Sequence, residues 1–194
     1  MNRKLSTLAL VFLLLTAKIS ATEFGIGGIF SMTNSFTQVG FSAGLSMGFH
    51  TRENPVIWEM SMGSSNKINE TYNPFVTKMR FDWHVVNWSV DSAFAAFFGP
   101  GLGFEFQTGG DETASTTHKK AMMGLTSIVA FRIVGGFKLF ATREVEFFMS
   151  VAPELGVMHR IAWSLDKNDH TIDTNLPQFY WSFETSLGIR FWMP

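Results

Sequence analysis

"VGFSAGLSMGF", residues 39–49, is the stretch that decides the fold of this chain. Its odd positions are all apolar, and its even positions are all glycine or serine. Because successive side chains of a strand point to opposite faces, this period of two predicts a β-strand. Soluble sheets also alternate, but the face opposite their core carries polar and charged side chains. A strand with bulky residues on one face and almost nothing on the other indicates a different kind of sheet.

The first 21 residues have the features of a secretory signal peptide. Arg3 and Lys4 precede an apolar run at residues 8–15, and Ser20-Ala21 provides a small-residue cleavage site. That run is too short for a spanning helix, and no later segment reaches the ~20 apolar residues that such a helix needs. We therefore expect residues 1–21 to be removed and residues 22–194 to form one domain.

Composition excludes two classes of protein. The chain contains no cysteine, so an exported disulfide scaffold is excluded. Without residues 1–21 the chain has twelve basic and sixteen acidic residues, a formal net charge of −4. An acidic chain of this kind argues against nucleic acid as a partner.

The alternation of residues 39–49 recurs along the whole chain. It predicts eight strands and no helix, at residues 23–32, 38–49, 56–63, 75–86, 93–107, 121–138, 145–158 and 178–192. The breaks at 50–55, 87–92 and 139–144 are short, whereas those at 66–73, 108–119 and 159–177 are longer and polar. Short turns at one end and long loops at the other are the organisation of an outer-membrane barrel.

The position of the charges separates a membrane barrel from a soluble sandwich. No Lys, Arg, Asp or Glu occupies the apolar parity of any predicted strand. A lipid-facing charge at mid-depth costs ~2 to 4 kcal/mol, whereas a charge in the lumen can be paired. The sequence therefore predicts an all-β fold, a closed eight-stranded antiparallel transmembrane β-barrel with up-and-down topology. Its glycine and serine positions leave room for long side chains in a narrow lumen.

The charges on the opposite parity are the candidate site. They predict a lumen charge network of Glu59, Lys78, Arg80, Asp82, His84, Glu105, Arg132, Lys138, Glu146, Glu154, Glu184 and Arg190. Two interpretations stay open, a static network that satisfies the interior and a gate whose pairs exchange partners. Above it, small and apolar residues including Gly40, Gly103 and Tyr180 leave room for a cavity open to the outside.

Three prolines are candidates for a lateral opening. Pro74 opens the fourth predicted strand, and Pro100 and Pro153 fall inside strands, where each removes a ladder donor. Each of the latter two predicts a β-bulge, and a lateral opening is the alternative interpretation.

The pattern resembles a known group. Eight strands after a signal peptide, "FFGPGLGFEF" in strand five and the closing "SLGIRFW" are similar to the small outer-membrane barrels, which include OmpA-type, OmpX-like and OmpW-like proteins. "YNPFVTKMRFDWHV" is similar to the OmpW-like segment in which proline opens the fourth strand. Members usually end on an aromatic residue that the barrel-assembly machinery reads, whereas this chain continues past Trp192 to Met193-Pro194.

The resemblance implies a bacterial outer-membrane location, with outer-membrane lipid and the barrel-assembly machinery as partners. Two functions remain open. The first is a porin-like or OmpW-like conduit that transports small hydrophobic solutes, and the second is a structural or surface-interaction barrel, adhesin-like or OmpX-like, with a plugged lumen. The loop residues His118, His159 and His170 and their acidic neighbours match no catalytic or metal-binding spacing, so we expect neither an enzyme nor a cofactor.

Overall fold

The computed structural model describes residues 23–35, 38–49, 55–67, 74–114, 119–164, 172–174 and 176–193. The predicted signal peptide, residues 1–21, lies outside the described residues. Ten strands form one antiparallel sheet: β1 (Phe24–Ser35), β2 (Gln38–Phe49), β3 (Val56–Lys67), β4 (Phe75–Trp83), β5 (Val86–Ser89), β6 (Phe94–Ala114), β7 (Lys119–Phe140), β8 (Val145–Ser164), β9 (Ile172–Thr174) and β10 (Gln178–Met193). Helices long and apolar enough to cross a membrane do not occur in the described part of the chain.

The sheet closes on itself. β10 pairs with β8 on one side and with β1 on the other, and the remaining long strands follow in chain order. β5 and β9 are short additions that pair with β6 and β8. The predicted eight-stranded meander barrel is therefore confirmed. We call the end that holds Phe24, Met193 and residues 90–93 and 141–144 the turn end, and the opposite end the loop end.

Strands β6, β7 and β8 are longer than predicted. They cover parts of residues 108–119 and 159–177, which were predicted to be loops, and β5 extends from the predicted fourth strand into the predicted turn 87–92. The predicted strands were ended at the polar residues of these segments. Outside the lipid, however, strands can stay paired when they carry polar side chains. The apolar alternation in fact continues on β8 at Ile161 and Trp163.

Strand register fixes the geometry of the barrel. A row of paired residues that starts at Arg190 passes through Gly27, Ser46, Glu59 and Arg80 on successive strands. The row continues through Gly103, Ala130 and Gly156 and returns to β10 at Tyr180, ten positions from its start. Ten residues of ~3.3 Å against eight strands of ~4.8 Å give a tilt of about 40°. The interior of such a barrel is just wide enough for side chains.

The apolar parity faces outward, as predicted. Along β2 the outward residues run from Val39 to Phe49, with Phe41 and Leu45 about half exposed between them. Ten residues cover about 33 Å along the strand and about 25 Å along the barrel axis, which is the height of the apolar band in membrane barrels.

Lumenal glycines make room for long side chains, also as predicted. A Cβ added to Gly101 would collide with the Asp82 carboxylate and lie 2.9 Å from Arg132 Cγ, and one added to Gly25 would lie 2.7 Å from Arg190 Cδ. The absence of a side chain on one strand therefore accommodates a charged one on the next.

The three prolines differ from one another. At Pro100 the partner of β6 changes from β4 to β5, and residues 83–85 lie opposite residues 99–100, so the predicted bulge is present on the neighbouring strand. At Pro153 the prediction of a bulge is wrong. Two pairs with β7 are missing there, but the register is the same on both sides of the gap and is unbroken towards β10. Pro74 is buried, and its carbonyl accepts a hydrogen bond from Ser65 N at 3.2 Å, which continues the β3–β4 pairing.

Candidate functional site: the charged lumen

The lumen contains all twelve charged or titratable residues that the sequence singles out. Each has at most 7% of its surface exposed. Five are cations and six are carboxylates, with His84 as the twelfth, so the buried charge is nearly balanced. Unpaired charges in such surroundings are costly, and the geometry shows how they are compensated.

The mid-lumen cluster consists of Lys78, Arg80, Asp82, Glu105, Arg132, Glu154 and Glu184, and Glu184 is its centre. The Glu184 carboxylate lies 3.0 Å from Lys78 Nζ, 3.1 Å from Arg80 Nη2 and 3.1 Å from Arg132 Nη2. These cations come from β4 and β7, whereas Glu184 comes from β10. One carboxylate therefore joins three strands across the lumen.

The other carboxylates of the mid-lumen cluster share the same cations. Glu154 lies 3.1 Å from Arg80 Nε and accepts a hydrogen bond from Ser182 at 2.8 Å. Asp82 lies 3.4 Å from Arg132 Nε. Glu105 is 3.6 Å from Arg80 Nη2 and 3.7 Å from Lys78 Nζ. Because each cation contacts at least two carboxylates, the cluster is a network and not a set of separate pairs.

The turn-end cluster consists of Glu59, Glu146 and Arg190 with Ser46 and Trp192. Arg190 Nη1 donates to Glu146 at 2.6 Å, and its Nη2 donates to Ser46 Oγ at 2.6 Å. Ser46 in turn donates to Glu59 at 3.1 Å, and Trp192 Nε1 donates to Glu146 at 2.9 Å. The carboxylates of the turn-end cluster therefore accept hydrogen bonds from neutral donors as well as from Arg190. Those of the mid-lumen cluster are compensated mainly by cations.

Two of the predicted residues, His84 and Lys138, pack against Phe97. The His84 ring stacks on Phe97 with a centroid separation of 4.0 Å. Lys138 Nζ lies 5.1 Å from the centre of the same ring and donates to Asn87 Oδ1 at 3.1 Å. An aromatic ring and an amide are therefore among the groups that compensate the Lys138 charge.

The loop-end half of the lumen also contains contacts between strands among the described residues. Hydroxyl and amide groups bond across neighbouring strands, as in Ser61–Ser42 at 3.1 Å and Ser65–Gln38 at 3.1 Å. Tyr180 is buried and packs with Ile128 and Ala130. A recess lined by Gln38, Lys78 and Glu105 among others has room for about one water molecule.

Sequence reasoning missed the neutral ligands of the charges. Ser46, Ser182 and Thr33 have the inward parity, which is the signal that identifies them. Thr33 lies between Lys78 and Glu184 and bonds to both. Trp192, near the end of β10, is also buried in the lumen. Trp192 is even-numbered, like Glu184 and Arg190, and the even-numbered residues at this end of β10 face the lumen.

Metal ligands do not gather in the described part of the chain, where no group of three or more His, Asp and Glu side chains lies close enough to hold an ion. His159 lies on the outward parity of β8. His118 and His170 lie outside the described residues.

No family model matches this chain, and no curated protein matches it. Two solved structures share its shape. A major outer membrane protein from Thermus thermophilus is 10% identical, with a TM-score of 0.62 over 89% of this chain and all of that one. The neisserial surface protein NspA is 12% identical, with a TM-score of 0.54 over 88% of this chain and 96% of that one.

The chain has the fold of the small eight-stranded outer-membrane barrels. At such low identity the likeness concerns the fold, and nothing in it distinguishes an OmpW-like branch from the others. The outward apolar band, the closed sheet and the two similar structures together indicate a bacterial outer-membrane protein.

Proposed function

We propose that this protein is a structural or surface-interaction barrel of the outer membrane with a closed, non-conducting lumen. The observation that carries the proposal is the mid-lumen cluster. Arg80, Arg132, Glu154 and Glu184 extend from four different strands and meet in the lumen, each at most 3% exposed. The interior of an eight-stranded barrel is narrow, so long side chains that meet in it leave little open cross-section for a solute.

The plug extends along the barrel and is not confined to one level. Arg190 and Trp192 fill the turn end, and the Gln38–Ser65 bond lies at the loop end of β2 and β3. A gate would need several of these contacts to break together. Since a buried charge left without its partner costs about 3–5 kcal/mol, an opening that leaves these charges unpaired is unfavourable.

The alternative function is a conduit for small hydrophobic solutes with an exit beside a proline. The best candidate exit is at Pro153, where two strand pairs are missing. Behind this gap, however, Val134, Ala152 and Phe97 pack together and are nearly inaccessible. This packing supports the closed barrel over the conduit. Beside Pro100 the bulge adds a residue without opening the β6–β7 register.

Reconstitution into liposomes tests the proposal. We expect release of a small polar dye and uptake of a small apolar probe to match those of empty liposomes. The double variant Arg80→Ser, Arg132→Ser removes both arginines of the mid-lumen cluster and serves as the matched comparison, because it is expected to leak if it folds. Transport by the native protein above the empty-liposome rate would overturn the proposal. Loss of that transport in a Pro100→Val or Pro153→Val variant would instead support the conduit.

A further inference from the structure

One carboxylate oxygen of the mid-lumen cluster lies beyond the reach of the cations around it. Glu105 is 3% exposed, and its Oε1 accepts a hydrogen bond from Gln107 Nε2 at 2.7 Å. Its Oε2 lies 3.6 Å from Arg80 Nη2 and 3.7 Å from Lys78 Nζ, farther than a hydrogen bond spans, and has no hydrogen-bond partner among the described residues. A buried carboxylate oxygen without a donor is costly, so a further donor is expected beside it.

Lys78 has hydrogen-bonding capacity to match. Its Nζ donates to Thr33 Oγ1 and to Glu184 Oε2. An ammonium group has three donors, so one N–H remains after these two bonds. An ammonium and a carboxylate oxygen that stand 3.7 Å apart are at a distance at which a water molecule can join them.

The recess in the loop-end half of the lumen adjoins both groups. Lys78 of β4 and Glu105 of β6 line it from one side, and Gln38 and Gly40 of β2 and Ser65 of β3 line it from the other. Its size is that of about one water molecule. A site of the right size therefore lies where the Glu105 carboxylate needs a donor.

Gly40 differs from the lumenal glycines that accommodate long side chains. A Cβ added to Gly40 would lie 3.5 Å from Ser65 Cβ and 3.6 Å from Ser64 O, which is ordinary van der Waals contact. A Cβ added to Gly25 or Gly101 would instead collide with a neighbouring side chain. A small substituent at residue 40 therefore fits into the recess without displacing a neighbour.

We propose that the recess is a binding site for one water molecule, which joins Glu105 Oε2, Lys78 Nζ and the Gln38 side chain. The water donates to Glu105 Oε2 and to Gln38 Oε1, and it accepts from the remaining N–H of Lys78. Gln38 Oε1 already accepts a hydrogen bond from Ser65 Oγ at 3.1 Å, and a carbonyl oxygen can accept two. Three polar partners are the usual number for a buried water molecule.

Charge selects water over an ion. The described residues that line the recess include one cation, Lys78, and one carboxylate, Glu105. A bound cation would lie beside the ammonium and a bound anion beside the carboxylate, so like charges would repel either ion. A neutral molecule that both donates and accepts hydrogen bonds matches both groups at once.

The bound water would connect two levels of the lumen. Gln38 and Ser65 lie at the loop end of β2 and β3, whereas Lys78 and Glu105 belong to the mid-lumen cluster. The direct hydrogen bonds at the loop end would thereby be continuous with the charge network below them. The site does not depend on whether the lumen conducts, because its ligand is held at one position by three groups.

Substitutions of Gly40 test the site. Gly40→Ala puts a methyl group into the recess and excludes the water, so Glu105 Oε2 loses its donor, and we expect the thermal midpoint in detergent to fall by ~2–10 °C. Gly40→Ser is larger but supplies a hydroxyl in place of the water, so its midpoint should return most of the way to that of the native protein. Gly103→Ala is the matched control, since its Cβ would lie 3.5 Å from Arg80 in the lumen but outside the recess, and it should leave the midpoint unchanged. A midpoint of Gly40→Ala at or above the native value, or equal losses in the two Gly40 variants, would overturn the proposal.

A crystal structure that shows ordered waters is the independent measurement. We expect a water molecule within ~3.2 Å of both Glu105 Oε2 and Lys78 Nζ in the native protein, and its replacement by the hydroxyl in Gly40→Ser. A direct hydrogen bond between Lys78 Nζ and Glu105 Oε2, with no water beside them, would overturn the proposal. Dye release from liposomes reports on transport and not on this site, so the water site and the closed lumen can fail separately.

Discussion

The lumenal and lipid-facing sides of the barrel wall are built from the same alternating strands but treat charge in opposite ways. Eleven Lys, Arg, Asp and Glu side chains are buried in the lumen, and none of the described barrel-strand side chains on the lipid-facing side is one of these. The lumenal charges lie within 4 Å of opposite charges or bond to neutral groups. The difference teaches that a membrane barrel admits charge only in the lumen, where side chains from other strands supply its partners.

Removing the shared carboxylate should have the largest effect. Glu184→Gln keeps the shape of the side chain but leaves Lys78, Arg80 and Arg132 without their common counter-charge. We expect unfolding to become easier by about 3–5 kcal/mol, measured by urea titration of tryptophan fluorescence in lipid vesicles. Glu144→Gln in the exposed turn at 141–144 is the control and should change stability by no more than ~0.5 kcal/mol. Equal midpoints for the two variants would contradict the role assigned to Glu184.

A charge placed on the lipid-facing side should have the next largest effect, and its size should depend on depth. Leu45 lies near mid-depth and Leu139 at the turn end, and the two are equally exposed, at 52% and 50%. We expect Leu45→Arg to cost ~2–4 kcal/mol and Leu139→Arg ~0–1 kcal/mol. The same urea titration separates them. If both variants lost equal stability, the membrane would not lie where the apolar band places it.

Adding one methyl group should give the smallest difference between the two sides. Gly101→Ala places a Cβ against Asp82 and Arg132 in the lumen, and we expect a loss of ~1–3 kcal/mol from overpacking. Gly28→Ala on the outward side meets nothing closer than Gly44 O at 3.9 Å and should be close to neutral. The thermal midpoints of the two variants in detergent provide the comparison. If Gly101→Ala left the thermal midpoint unchanged, the lumen around residue 101 would be more loosely packed than it is in this structure.

The sequence by itself determined that the chain forms a barrel, which residues lie on each of its two faces, and which charged residues line the lumen. A period of two assigns every strand residue to a face, and the exclusion of charge from one face identifies lipid as its solvent. Both signals are local, so they can be read from residues 39–49 and their counterparts without knowledge of contacts.

Tertiary structure alone decided which charges meet. Glu59 and Arg80 are register partners on neighbouring strands, yet Glu59 accepts its hydrogen bond from Ser46, while Arg80 reaches Glu154 and Glu184 from β8 and β10. Side chains that converge in a narrow tilted lumen contact partners more than one strand away, and the stagger that brings them together depends on every turn at once. The additional length of β6, β7 and β8 at the loop end likewise could not be predicted, because polar residues there end the sequence pattern without ending the strands. Closure of the sheet, not local alternation, sets the stagger that decides these pairings.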